Sequence, residues 1–187
     1  MYMIAIDFEA SCLPQHGRSY PIEVGISVDG LTSRSWLIRP HVSWADWTWT
    51  EEAERLHRLS QVRLWRDGLP VERVAAELAE ALGGAQVIAD NLIDAYWLET
   101  LYEAAAQPCP VEIQCIGEIL RESGLKSDVI FAAQTRIDAL GFGRHRAGED
   151  ARWLAALLME LEKQMQARDR SLLRATRPTE LLAYANT

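Results

Sequence analysis

A chain of 187 residues with an apolar share of 49% is long enough for one ordinary domain with a sizeable core. Its net charge of -8 argues against a protein that holds long duplex nucleic acid by spread-out phosphate contacts, but leaves room for a local, metal-assisted phosphate site. Three cysteines, Cys12, Cys109 and Cys115, form no Cys-x-x-Cys pair and indicate neither a zinc knuckle nor a disulfide framework.

The chain begins MYMIAIDFEAS, and residues 3 to 8 are apolar except for Asp7, the pattern of a strand covered on both faces. Side chains alternate along a strand, so Asp7 and Glu9 share one face while Ile4, Ile6 and Phe8 take the other. Two like charges in such a strand need a counter-charge. SCLPQHGRSYP reads as a loop, and PIEVGISVDGLTSRSWLIRP as two strands around an Asp29-Gly30 turn. The aromatic, charged stretch HVSWADWTWTEEAERLHRLSQVRLWRDGLP predicts a connection with short helical pieces. VERVAAELAEALGG is a helix ended by glycines, AQVIAD a strand, and DAYWLETLYEAAA a helix stopped by PCP. VEIQCIGEILRESG predicts a short strand passing into a helix, residues 128 to 139 a further helix, GFGRHRAGED a loop, and ARWLAALLMELEKQMQA the longest helix.

A hairpin followed by strands alternating with helices predicts an α/β domain: a mixed five-stranded sheet flanked by helices. The expected domain covers residues 1–167, with 168–187 as a C-terminal tail or helical appendage. With no basic-then-apolar leader and no transmembrane run ahead of the first strand, a cytoplasmic location is expected.

Two further acids break apolar patterns. At helical spacing one stripe runs Asp94, Trp97, Leu98, Leu101, Tyr102, Ala105, and another Asp150, Trp153, Leu154, Leu157, Leu158, Leu161, Met165. Each is apolar except at its first member. Capping and the helix dipole explain an acid in a first turn, but not its place on the core-facing side. A lone Asp-x-Glu is by itself weak, and an arginine partner would satisfy it as well. Taken together, four such carboxylates call for a shared counter-charge, because like charges packed together raise each other's pKa. A pair of hard divalent cations, Mg²⁺ or Mn²⁺, would supply it and suits in-line phosphoryl displacement. His145, in RHRAGED, precedes Asp150 by a short fixed offset, and an imidazole there is suited to take a proton from an attacking water.

These residues resemble the DEDDh family of 3'-to-5' exonucleases. The first motif is IDFEAS with Asp7 and Glu9, the second IADNLIDAYWL with Asp94, and the third HRAGEDA with His145 and Asp150, in the family's order over residues 3 to 158. PIEVGISV is similar to the family's second strand. The resemblance implies a ribonuclease H-like fold and removal of terminal nucleotides with two divalent cations. Carried over by position, it implies that Asp7, Glu9 and Asp150 hold one ion, that Asp7 and Asp94 serve the second, and that His145 is the general base. Two departures stand out. The second motif is one residue shorter between Asn91 and Asp94 than in the family, which leaves Asp90 as a rival ligand. EASCLP also replaces the Thr-Thr-Gly run of many relatives.

The resemblance further implies contacts to the terminal nucleotide from Phe8, Ala10, Ser11, Asn91, Trp97 and Arg146. By position Phe8 and Trp97 also read as core. Trp44, Trp47, Trp49 and Trp65 are further candidates for stacking on bases, or else cover a helix. Arg136, Arg144, Arg146 and Arg152 surround the third motif, either to meet phosphate or as a solvated face. His57, in ERLHRLS, is similar to a histidine in the family's corresponding connection. The expected partners are single-stranded DNA or RNA 3' ends, and dimeric relatives make a homodimer an expectation too. The rival reading is a nucleic-acid-binding module of the same fold without turnover.

Overall fold

The computed structural model describes residues 2–175. Its sheet begins with β1, Met3–Ala10, the near-continuous apolar run at the start of the chain. Then follow β2, Pro21–Ser27, and β3, Arg34–Leu37; α1, Glu51–His57; α2, Gln61–Asp67; and α3, Val71–Leu82. β4, Gln86–Ala89, leads to α4, Ile93–Ala104, and β5, Ile113–Cys115, passes directly into α5, Ile116–Ser123. α6, Ser127–Asp138, and α7, Ala147–Ala175, complete the order. α7 runs past residue 167 without a break, and the rest of the expected tail, 176–187, lies outside the described residues. No helix among the described residues is long and apolar enough to cross a membrane.

The five strands lie in the order β3-β2-β1-β4-β5. β1 pairs antiparallel with β2, and β2 with β3, as the hairpin pattern predicts. The turn is longer than a two-residue one: residues 28–33 separate the strands, and Asp29 Oδ1 accepts hydrogen bonds from the Leu31 and Thr32 amides at 2.9 Å. β4 and β5 are parallel to β1 and to each other, joined through helices. β1 is therefore central. Its carboxyl end, with that of β4, lies where the strand order switches, the usual place for a site in an open α/β sheet.

Alternation along β1 sorts its side chains between two cores. Ile4, Ile6, Phe8 and Ala10 join α3 and α4 in one apolar cluster, and Ala5 joins Ile88 and helices α5 to α7 in the other. Asp7 and Glu9 share the parity of Ala5, which turns them toward α7. β2 is buried along its whole length, and α7 crosses it so closely that a Cβ on Gly25 would stand 2.2 Å from the Ala147 carbonyl carbon. Glycine is required there by close approach rather than by a special φ.

The aromatic connection folds onto the first core. Trp44 is buried and stacks on Tyr20, 5.3 Å between ring centroids, and Trp47 and Trp49 pack partly buried beside it. These three are structural cover, whereas Trp65 is exposed. Thr50 and Ser60 cap α1 and α2 by accepting the Ala53 and Arg63 amides, each at 3.3 Å.

Candidate active site

Four segments meet at the carboxyl end of β1. Carboxylate oxygens of Asp7, Glu9 and Asp150 lie within 4.8 Å of one another, and so do those of Asp7, Asp90 and Asp94. Asp7 belongs to both groups. Sequence position left Asp90 and Asp94 as rivals; both stand beside Asp7. They differ in setting. Asp94 is 2% exposed and its Oδ1 accepts the Phe8 amide at 3.2 Å, so the helix acid is locked to the strand it serves. Asp90 is exposed at the end of β4.

Asp150 is held from its own loop. Its Oδ2 accepts the His145 amide at 2.7 Å and the Arg146 amide at 3.2 Å, the arrangement of a carboxylate closing a helix start. Its Oδ1 is buried and accepts no hydrogen bond, although Arg144 Nε lies 2.8 Å away. His145 itself is exposed, with φ 65, a left-handed conformation that turns the chain sharply just before α7.

Crowding of like charge shows in the acidities. Burial, and then the charges of Asp94, Asp150, Glu9 and Asp90, push the Asp7 carboxyl well above the usual range. Burial, Asp150 and Glu23 push Glu9 up to about 8, opposed by Arg146. Asp94 is pushed up to about 8 by burial and Asp90, opposed by the Phe8 amide. Desolvation and Asp150 raise Asp90, which Arg144 pulls back down. Without a cation this cluster holds protons that ordinary carboxylates release. An all-oxygen donor set, one buried oxygen without a hydrogen bond and two groups sharing Asp7 fit a pair of hard divalent cations.

Sequence reasoning passed over Glu23 as a site residue. It is 1% exposed, opposite Glu9 across the β1/β2 pair, and chelated by Arg146. The signal was there: a charged residue in a strand that is otherwise apolar. Arg146, expected to meet substrate, gives Nε and Nη2 to Glu23 at 2.9 and 2.7 Å, a charge-assisted bidentate pair.

Beside Glu9 opens a mostly apolar cavity lined by Phe8, Ala10, Cys12, Leu13, Leu56, His57 and Trp97. Phe8 and Trp97 are thus both core and wall, 5% exposed each. Trp97 is fixed by its indole N–H to Ser19 Oγ at 3.0 Å. His57 is 2% exposed; its Nδ1 accepts the Leu59 amide at 3.0 Å, so the proton sits on Nε2, which has no partner. Burial lowers its pKa to about 4 and keeps it neutral. Two other expected contact residues make local hydrogen bonds. Ser11 is buried with its Oγ accepting the Tyr20 amide at 3.1 Å, and Asn91 Oδ1 accepts the Ile93 amide at 3.0 Å, ahead of α4.

No family model matches the sequence, and no curated protein matches it. Solved structures do. The nuclease domain of 3'hExo, a DEDDh family member, bound to rAMP, is similar with a TM-score of 0.66 at 15% identity, over 87% of this chain and 92% of that one. An Exonuclease I from Methylocaldum szegediense is similar with a TM-score of 0.61 at 17% identity, over 94% of this chain. E. coli Exonuclease I in complex with a dA16 oligonucleotide has a TM-score of 0.62 at 13% identity, again over 94% of this chain. This chain spans 43% of the length of each Exonuclease I chain. With five strands in this order, flanked by helices on both faces, the chain has the ribonuclease H-like fold of these exonuclease structures.

Proposed function

We propose that this protein is a metal-dependent 3'-to-5' exonuclease that hydrolyses the terminal phosphodiester bond of single-stranded DNA or RNA and releases nucleoside monophosphates. One observation carries the reading: two carboxylate triads share Asp7 at the switch point of the sheet. A single ion pair or cap would need one acid, and five acids converging from β1, the end of β4, α4 and α7 have no structural use that a smaller set would not meet.

Asp7, Glu9 and Asp150 would hold one divalent cation, and Asp7, Asp94 and Asp90 the second, Mg²⁺ or Mn²⁺. Bound there, such a pair supplies activation of a water and stabilisation of the charge on the leaving 3' oxygen. The chain's own residues do the rest. The Phe8 amide fixes Asp94, and the His145 and Arg146 amides fix Asp150, so the carboxylates need no rearrangement to receive charge. The exposed His145 ring at the loop tip takes the proton from the attacking water. The cavity beside Glu9 receives the terminal base, with apolar walls for its faces and the unpartnered His57 Nε2–H as a donor for a polar edge. The similar structures, one an rAMP complex and one a dA16 complex, support a nucleotide ligand of this kind.

The test is direct. Purified protein with Mg²⁺ or Mn²⁺ and matched 5'-labelled DNA and RNA oligomers is expected to give ladders shortening from the 3' end, with Asp7→Ala and Asp150→Ala losing nearly all cleavage. Binding without cleavage by the unaltered protein would favour a module that holds strands and does not cut them.

A further inference from the structure

One cation on the chain already reaches the carboxylate cluster. Arg144 Nε stands 2.8 Å from Asp150 Oδ1, the buried oxygen that no hydrogen bond satisfies. Its guanidinium carbon also lies 4.9 Å from the centre of the Trp153 ring, on the next turns of α7. The same charge lowers the pKa of Asp90, in the second triad. Arg144 therefore bears on both triads at once. Nothing else ties it down: its side chain is 48% exposed, and it rides in a loop with Gly141 and Gly143 on one side and the left-handed His145 on the other.

Its neighbours are differently committed. Arg146 is chelated by the buried Glu23, and Arg152 is paired with Glu149 at 2.9 Å. Of the three arginines around the start of α7, Arg144 alone rests on a carboxylate of the proposed cation sites, and it rests there by one ion pair and one ring face. Both contacts are weak enough to exchange. A divalent ion on Asp150 and a guanidinium on the same oxygen repel each other, so the two states exclude one another.

We propose that Arg144 is the built-in counter-ion of the cluster in the cation-free state, and that a divalent cation entering at Asp150 displaces it from both Asp150 and Trp153. This rests on the cation sites proposed above, not on nuclease turnover. Loading the site then releases the guanidinium beside the opening, where a phosphate is the available anion, while the His145 amide keeps its bond to Asp150 Oδ2.

The experiment uses the full chain in chelated buffer, titrated with Mg²⁺ alone and without nucleic acid. Calorimetry is expected to show Arg144→Gln binding Mg²⁺ about tenfold more tightly than the unaltered protein, the order of effect of one removed competing charge near a partly screened site. Arg144→Lys, which keeps the charge but not the planar fork, is expected between the two. Intrinsic fluorescence is expected to change as Mg²⁺ binds to the unaltered protein, and that change is expected to be lost in Arg144→Gln and in Trp153→Phe. Thermal melts of each variant establish that it folds; Arg144 is a half-exposed loop residue whose loss opens no core. Equal or weaker Mg²⁺ binding by Arg144→Gln, or no binding by either protein, overturns the inference. So does a fluorescence response that survives in Trp153→Phe. Tighter binding by Arg144→Gln in a protein that cuts no strand sustains this inference while removing the exonuclease reading. Unchanged binding in an active nuclease removes this inference alone.

Discussion

Arg146 grips Glu23 with both ends of its guanidinium fork, and the Ala147 amide adds a third bond to the same carboxylate at 3.2 Å. The start of α7 is thereby fastened to β2, and that fastening sets where Asp150 and His145 stand. Glu23→Ala leaves the guanidinium without its partner and is expected to destabilise the fold by about 3 kcal/mol, the low end for a broken buried pair because Arg146 is more than one-third exposed. Glu23→Gln, which keeps an acceptor for Ala147, is expected to lose less. Urea denaturation of the two variants checks the order, and equal losses would deny the ion pair its role.

Gly25 sets the distance of the same helix. A methyl group there meets the Ala147 and Gly148 backbone at 2.2 to 2.4 Å, and backbone atoms in a helix start do not move aside cheaply. Gly25→Ala is expected to cost about 1 to 3 kcal/mol by overpacking. It is also expected to reduce cleavage, because α7 carries Asp150. Full activity together with unaltered stability would show that the helix tolerates displacement.

Glu9 and Asp94, held near 8 in the fold, titrate near 4 in an unfolded chain. The folded state thus keeps protons that the unfolded state has released, and its stability declines as pH rises toward 8. His57 works in the opposite sense, since its folded value of about 4 is below its ordinary 6.5, but it has no effect once the pH is well above 6.5. In chelator the melting temperature is therefore expected to fall between pH 6.5 and 8.5. Added Mg²⁺ is expected to remove most of that decline, because bound cations favour the ionised carboxylates. A profile flat in chelator over this range would contradict the crowding of charge.

His145 holds Asp150 with its backbone, not its ring. His145→Asn tolerates the left-handed φ and keeps that amide bond, so Mg²⁺ affinity is expected to be nearly unchanged. Cleavage is expected to fall about a hundredfold or more, the usual worth of a positioned general base. Single-turnover rates beside a calorimetric Mg²⁺ titration separate the two effects, and an unchanged rate removes the ring from the mechanism.

His57→Asn keeps an acceptor for the Leu59 amide and deletes the deeper donor at Nε2. Affinity for a nucleoside monophosphate is expected to drop by up to about tenfold, the worth of one neutral hydrogen bond, with little change in melting temperature. Calorimetry with the mononucleotide reads it. Unchanged affinity would leave the cavity as an apolar slot.

Local patterns carried most of the architecture. Alternation placed Asp7 and Glu9 on one face of the first strand, and the 3.6-residue period isolated Asp94 and Asp150 as the polar heads of apolar stripes. Both signals are short-range, so they survive in the sequence. The mixed sheet also followed from a hairpin and helical crossovers, whereas the strand order came from the tertiary structure. The turn at Asp29 and the end of the loop before α7 were less legible: α7 starts at Ala147, four residues ahead of the expected Ala151, because side-chain bonds from Asp29 and Asp150 to nearby amides set these boundaries.

What the chain's sequence determined by itself was the kind of chemistry: which residues are acids in apolar surroundings, and in what order. Only tertiary structure decided their partners. It set both Asp90 and Asp94 beside Asp7, turned Arg146 inward to Glu23, laid Arg144 on Asp150, and left His57 Nε2 alone beside an apolar cavity. Periodicity reports which face a side chain takes, but the pairing of charges depends on distances between segments far apart in the chain, and those are fixed only when β1, β2, β4 and α7 pack together.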